Sequence, residues 1–472
     1  MSCSSKNPSF ENCELAIMKQ SIKKVEEIQG KLSTVENREL IEIMEEYIQN
    51  NDHCICYGGT AINNLIPDSD KFYDYDVEMP DYDVYTPNPI QDAKKLADIY
   101  FKRGYTNVIA KSGVHYGTYK VFVNYVGIAD FTLLHKSLFA AIKRESINVN
   151  GIMYAPPNFL KQSMYRELSQ PHNDTSRWEK VLTRLNLLNK HYPFKGMCKA
   201  TKESKASGFG PKAIDANLYE RVRANLVRQK VVFIGGYANT LYESKAQHVP
   251  DFDVISLDPK KTVKILEDDL KSAGFHKIKV VPCPGVGELI HPHFKFMVGT
   301  SLVALIFEPT ACHSYNVIRD KNGNDVNIGS IDTLLSFYMA FLYADRDYLD
   351  KQRLLCLSEF LFEEQERSKH RQEGVLKRFS IDCYGQQETM PRIMATKEKM
   401  FKTLKRGTKK YEEWFLKYVP AGNKADVPGT VGEPGTAMRN VFDEPDRRTR
   451  FTRRKRAKQS KRRKTTRVWS LF

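Results

Sequence analysis

The sequence predicts a mixed α/β fold in which one unit is used twice in tandem, with helical segments after each copy. Three observations predict it. A short apolar strand, two glycines and a helical stretch occur at 53–65, and the same order returns at 231–242. An Asp-x-Asp with strand-like surroundings follows each, at Asp81–Asp83 and Asp251–Asp253. At a constant offset of 170 residues, Pro80, Asp81, Asp83, Val84, Pro89, Lys94, Leu96, Asp98 and Gly104 match Pro250, Asp251, Asp253, Val254, Pro259, Lys264, Leu266, Asp268 and Gly274 without a gap. Tyr105 also meets Phe275. Such a run is the mark of an internal duplication, and 472 residues leave room for two or three cored domains.

The elements follow in order. Ser33-x-x-Glu36 is a capping box opening an amphipathic helix with Leu40, Ile43, Met44, Tyr47 and Ile48 on one side. HCICYGG (53–59) is a short strand, and Thr60–Leu65 starts a helix. Beyond the Asp-x-Asp come a helix near Ile90–Arg103 and strands near Thr118–Asn124 and Val126–Leu133. Ser176–Lys190 is an amphipathic helix with an apolar face of Trp178, Val181, Leu182, Leu185 and Leu188. The Lys/Gly/Ser-rich stretch 195–212 is a linker or long loop. VVFIGGYANTLY (231–242) and VPDFDV (249–254) restart the pattern, and the apolar run Leu334–Ala344 is a buried helix. The expected divisions are an N-terminal helical segment (1–50), a catalytic unit (51–150), a helical segment and linker (151–222), and a second unit (223–330). C-terminal helices (331–418) and a disordered basic tail (419–472) complete the chain.

The net charge of +16 is uneven, because 13 Lys/Arg and no acid lie between Arg447 and Arg467. The rest of the chain is close to neutral. The tail is a candidate nucleic-acid arm or nuclear-import signal, with a solvated extension as the plainer reading. Nine cysteines without CxxC pairs argue for a reducing compartment and against a disulfide framework. Cys283, His291, His293, Cys312 and His313 have spacings that fit no standard zinc site. The N-terminal MSCSSKNPSF lacks the apolar run of a secretory signal, and no uncharged stretch reaches membrane-spanning length.

The chemistry lies in the first copy. Gly58–Gly59 at a strand-to-helix turn lets backbone N–H groups approach a triphosphate, and Thr60 is expected to offer its hydroxyl there. Asp81 and Asp83 share one face of a strand, and Asp130, from a later strand, is the expected third carboxylate. Three carboxylates around two Mg²⁺ ions activate a hydroxyl and neutralise a departing pyrophosphate. The segment YDYDVEMPDYDVYT offers a rival pair, Asp74 and Asp76. Spacing from the glycines favours them; the ungapped run favours Asp81 and Asp83. The run carries more weight, because a loop tolerates insertion whereas a strand must keep its register. In the second copy Tyr237 stands at the place of Thr60, and Glu308 is the evident third carboxylate. An active second copy is the reverse assignment. Arg177, Lys180 and Arg184 form a basic stripe on the helix after the first unit.

YGGTA, MPDYDVYTPN, the Asp130 strand and SRWEKVLTRLNLLNKHYP resemble the DNA polymerase β-like nucleotidyltransferases. More closely, they resemble the poly(A) polymerase catalytic subunits of nucleocytoplasmic large DNA viruses, most of all those of mimivirus-type giant viruses. The likeness covers roughly residues 40–360. It implies two tandem nucleotidyltransferase-like domains, the second catalytically silent, and template-independent transfer of AMP from ATP to an RNA 3′-OH. Asp81, Asp83 and Asp130 are then the catalytic metal ligands for Mg²⁺ or Mn²⁺, and Gly58, Gly59, Thr60, Lys180 and Arg184 bind the nucleotide. The resemblance also implies a homodimer acting in the host cytoplasm at the virus factory, with packaging in the virion a further expectation, and no membrane. The rivals are a related enzyme with another acceptor, making oligoadenylate or adding CCA, and a non-catalytic RNA-binding processivity subunit.

Overall fold

The computed structural model describes residues 14–22, 24, 34–73, 81–196, 215–242, 251–287, 289–320, 322–368 and 371–422. Ser33 of the capping box, Asp74 and Asp76, most of the expected linker and the basic tail lie outside these residues.

Helix α1 (Thr34–Gln49) buries Leu40, Ile43, Met44, Tyr47 and Ile48, one stripe at helical spacing. β1 (Ile55–Tyr57) runs directly into α2 (Gly58–Leu65), so the glycines are the first residues of the helix. β2 (Tyr82–Thr86), α3 (Pro89–Lys102), β3 (Val108–Ser112), β4 (Thr118–Val123) and β5 (Val126–Leu133) follow. Along β4 the residues alternate: Tyr119, Val121 and Val123 are buried, while Thr118, Lys120 and Phe122 are half-exposed. α4 (Lys136–Glu145), β6 (Ile147–Val149), β7 (Ile152–Tyr154), α5 (Pro157–Leu168) and α6 (Trp178–His191) complete the first lobe.

The second lobe repeats this order. It comprises α7 (Ala216–Arg228), β8 (Val232–Phe233), α8 (Gly236–Thr240), β9 (Phe252–Ile255) and α9 (Pro259–Ser272), then β10 (Ile278–Cys283), β11 (His293–Val298) and β12 (Ser301–Phe307). β13 (His313–Arg319), β14 (Asp325–Gly329), α10 (Ile331–Phe341) and α11 (Lys351–Arg367) come next. β15 (Cys383–Tyr384), α12 (Met390–Thr403), α13 (Lys409–Phe415) and β16 (Lys417–Tyr418) end the described chain.

The two sheets have one topology. The first reads β16-β3-β4-β5-β2-β1-β7-β6 and the second β10-β11-β12-β9-β8-β14-β13-β15. Apart from one extra edge strand each, β16 and β15, the strands correspond one to one. The parallel contacts correspond as well: β2 with β5 and β1 with β7 in one lobe, β9 with β12 and β8 with β14 in the other. The apolar run expected as a buried helix is α10, every residue of which is buried. It packs against its counterpart α5. Phe159 meets Tyr343 edge-on at 5.3 Å across that joint.

Two findings depart from the sequence reading. The segment expected as C-terminal helices also supplies an edge strand to each sheet, because two-residue strands are too short to show a period. The expectation of no disulfide framework is corrected: Cys312 and Cys383 form a disulfide, with their Cα atoms 5.2 Å apart where β15 pairs with β13, and Cys356 is disulfide-bonded as well. Among the described residues, no helix is long and apolar enough to cross a membrane.

Candidate active site

The first sheet brings the three carboxylates together through strand register. Asp83 on β2 lies opposite Asp130 on the parallel neighbour β5, and Asp81 sits just before β2, its carboxylate over Gly127. Burial raises the Asp83 carboxyl to about 7, helped by the negative charges of Asp130 and Asp81. Asp81 is raised as well, by burial and then by Asp130. Lys120, opposite Asp130 on β4, makes an ion pair with it. Carboxylates crowded this way are hard oxygen donors whose repulsion a divalent cation relieves, so they fit Mg²⁺ or Mn²⁺.

The glycine turn packs against this cluster. Gly58 has φ +72°, the left-handed region that glycine adopts without strain. A Cβ there would fall 2.2 Å from Asp83 Oδ2. At Gly59 a Cβ would fall 2.8 Å from Arg184 Nη1 and 2.4 Å from the Tyr73 hydroxyl. Arg184 Nη2 donates to that hydroxyl at 2.8 Å, and the guanidinium stacks 4.6 Å from the Phe72 ring centre. Gly58, Gly59 and Arg184 therefore form one surface beside Asp83. Lys180 lies on the same helix, exposed, one turn nearer its N-terminus.

Thr60 differs from its expected use. The residue is 1% exposed, and its hydroxyl donates to the Asp81 carbonyl at 3.0 Å. In this arrangement the side chain ties the carboxylate strand to the glycine helix.

The second lobe keeps the frame but not the three-carboxylate arrangement. A Cβ at Gly235 would fall 2.0 Å from Asp253 Oδ2, the same approach that Gly58 makes to Asp83. The two contacts align Asp81 and Asp83 with Asp251 and Asp253. Opposite Asp253 on β12, however, lies Leu305, at the position that Asp130 holds on β5. Glu308, expected as the third carboxylate, falls beyond the end of β12. Arg353 donates to Asp251 at 2.7 Å, so a cation is paired with the carboxylate that corresponds to Asp81, with Asp251 buried and Arg353 mostly so. Asp253 is raised to about 7 by burial and by Asp251, and among the described residues its Oδ1 has no hydrogen-bond partner. Tyr237, at the place of Thr60, is a core residue with its ring 4.8 Å from Phe233 and 5.4 Å from Phe252.

Lys120 and Arg353 were missed by sequence reasoning, yet both leave a signal. The alternation in TYKVFV puts Lys120 on the face away from the core. Arg353 is the third residue of α11, as Lys180 is the third of α6, so the duplication extends to a cation at that position.

Residues 42–174, which run from α1 through α5, match the family model of the poly(A) polymerase catalytic subunit. A relative carrying that family name, from Acanthamoeba polyphaga mimivirus, is 33% identical over 162 residues, or 34% of this chain and 27% of the relative. One from African swine fever virus is 28% identical over 180 residues, 37% of each chain. The chain thus spans between a quarter and two fifths of the length of these family members. The crystal structure of the Megavirus polyadenylate synthase is similar in fold across 89% of this chain and 88% of that one, with a TM-score of 0.71 at 20% identity. The second lobe therefore shares in the likeness of fold, beyond the segment that the family model matches.

Proposed function

We propose that this chain is a viral poly(A) polymerase, transferring AMP from ATP to the 3′-OH of RNA without a template and releasing pyrophosphate. The observation that carries the reading is the register of Asp83 opposite Asp130, with Asp81 beside them and Gly58 packed on Asp83. Asp81, Asp83 and Asp130 would hold two Mg²⁺ or Mn²⁺ ions, which when bound activate the acceptor hydroxyl and stabilise the leaving pyrophosphate. The chain's own part is placement. The α2 N-terminus and Arg184 receive the triphosphate on the β1 side of Asp83, with Lys180 within reach on α6. Asp130 would address the acceptor hydroxyl on the other side, and its ion pair with Lys120 would have to give way for it to hold a metal. The second lobe, with Leu305 and the Asp251–Arg353 pair, is read as structural. A homodimer, and residence at a cytoplasmic virus factory or in the virion, remain part of this proposal on the resemblance alone.

The test incubates purified protein with Mg²⁺ or Mn²⁺, a 3′-OH RNA and each nucleoside triphosphate separately. A ladder with ATP alone supports the reading, and no growth with any of the four sinks it. Asp81→Asn should abolish the ladder and Asp251→Asn should leave most of it; equal losses would mean that the second lobe had been misjudged.

A further inference from the structure

A continuous row of side chains crosses the first sheet. Register aligns Lys417 of β16 with Lys111 of β3, and Lys111 with Lys120 of β4. Lys120 meets Asp130, Asp130 meets Asp83, and Asp83 meets Tyr57. Residues directly opposite one another share a face. Ala110, Tyr119, Val121 and Phe131 hold the other face in the core, so the row lies on the open one. Lys111 and Lys417 are exposed there and Lys120 is half-buried. With strands about 4.8 Å apart, the three ammonium groups lead away from Asp130 over roughly 15 Å.

Two features make the row more than a solvated surface. Like charges directly opposite repel, and among the described residues no ion pair joins Lys111 to a carboxylate; its charge is disfavoured by partial burial and by Lys120. An anion laid along the row would relieve that. The duplicated sheet supplies the control. The positions of Lys111, Lys120, Asp130 and Asp83 are taken in the second lobe by Val281, Lys295, Leu305 and Asp253. The row of cations is present where the three carboxylates are and interrupted where they are not. An aromatic surface adjoins it: Lys111 Nζ stands 4.3 Å over the half-exposed ring of Phe122, on the same face.

Transfer to a strand end needs two anionic partners, one on each side of the carboxylates. The glycine turn and Arg184 serve one side. Resting on the proposed function, we propose that the lysine row serves the other. Single-stranded RNA lies across β4, β3 and β16 with its phosphates on Lys120, Lys111 and Lys417, its 3′ end at Asp130 and a base against Phe122.

The test is binding of a fluorescent single-stranded 3′-OH RNA to the full chain, by anisotropy over a range of salt, with no nucleotide present. Lys111→Gln/Lys417→Gln should weaken binding and flatten the slope of log K against log salt by about 1.4, from two contacts at about 0.7 each. Lys295→Gln, the matched position in the second lobe, should change neither. Melting temperatures equal to the parent's show that the variants are folded. An unchanged slope in the double variant, an equal effect from Lys295→Gln, or a parent chain that does not bind RNA overturns the proposal. The assay needs no turnover, so a parent that binds RNA through the row yet adds no AMP refutes the proposed function and leaves the row standing.

Discussion

A methyl group at Gly58 separates the roles of the two lobes. Gly58→Ala places a Cβ 2.2 Å from Asp83 Oδ2, where real contacts do not fall below 3.0 Å, so the carboxylate must retreat by at least 0.8 Å. The backbone resists too, since φ +72° costs an L-residue about 1–2 kcal/mol. A misplacement near 1 Å in a catalytic constellation costs on the order of 10²-fold in rate. AMP addition at saturating ATP and RNA should therefore fall about 10²-fold in Gly58→Ala, with RNA affinity unchanged. Gly235→Ala makes the same collision with Asp253, at 2.0 Å, but at φ −99°, which alanine adopts freely. There the cost is overpacking, about 1–3 kcal/mol of stability. Its rate per folded molecule should match the parent. The measurements are single-turnover extension of a labelled RNA and chemical unfolding of each variant. Gly58→Ala within threefold of the parent rate, or Gly235→Ala losing rate as Gly58→Ala does, would refute the assignment of Asp83 as a metal ligand on the active side.

Asp253→Asn should stabilise the protein at alkaline pH. The folded carboxyl is raised to about 7 from 3.8, so it keeps a proton that the unfolded chain releases, and parent stability is lost as pH rises from about 4 to 7. Three pKa units correspond to at most about 4 kcal/mol; urea midpoints should diverge in favour of the variant above pH 7 and converge near pH 4, and a less stable variant at pH 8 refutes the reasoning. Thr60→Val removes the hydrogen bond to the Asp81 carbonyl and should cost about 1 kcal/mol of stability and part of the rate, with Thr60→Ser close to the parent in both. A Thr60→Val chain with unchanged stability and a raised KM for ATP would return the hydroxyl to the phosphates. Truncation before Asp446 removes the 13 Lys/Arg of the tail and should flatten the salt dependence of RNA binding by about 0.7 per lost contact while sparing the rate at saturating RNA. An unchanged slope leaves solubility or nuclear import as the tail's role.

How far the fold was legible depended on what each element demands of its residues. The run from Pro80 to Gly104 against Pro250 to Gly274 showed the duplication, because an Asp-x-Asp strand and the helix packed behind it constrain side chains one by one. The meanders β3–β5 and β10–β12 correspond as closely in space but share little sequence, since a strand in the core asks only for alternation. Glu308 stands out in the sequence because it is the carboxylate nearest the apolar strand SLVALIF. Register puts Leu305 opposite Asp253, and register is a relation between strands that no linear spacing carries. The same limit hid Arg353, which reaches Asp251 across 102 residues, and the lysine row, assembled from β3, β4 and a strand near the end of the described chain.

The tetrapeptide Asp-Tyr-Asp-Val, which occurs at Asp74–Val77 and again at Asp81–Val84, shows where such a limit can be passed. Asp74 and Asp76 lie outside the described residues, so their own positions decide nothing. What aligns the two copies is Gly58 against Asp83 and Gly235 against Asp253, two approaches so close that only glycine admits them. A contact made twice, in lobes of which one has lost its third carboxylate and gained an arginine, cannot be there for metal binding in both. It belongs to the frame that sets the glycine turn against the carboxylate strand, and chemistry was kept or lost on top of it. Counting back from that contact fixes Asp81 as the partner of Asp251. The seven additional residues before it are then an insertion relative to the second copy. Within this frame Asp74→Asn with Asp76→Asn should leave a substantial part of the AMP addition, while Asp83→Asn alone should remove it. Loss of addition in the Asp74/Asp76 double variant with Asp83→Asn still active would reverse the assignment, whatever the register says.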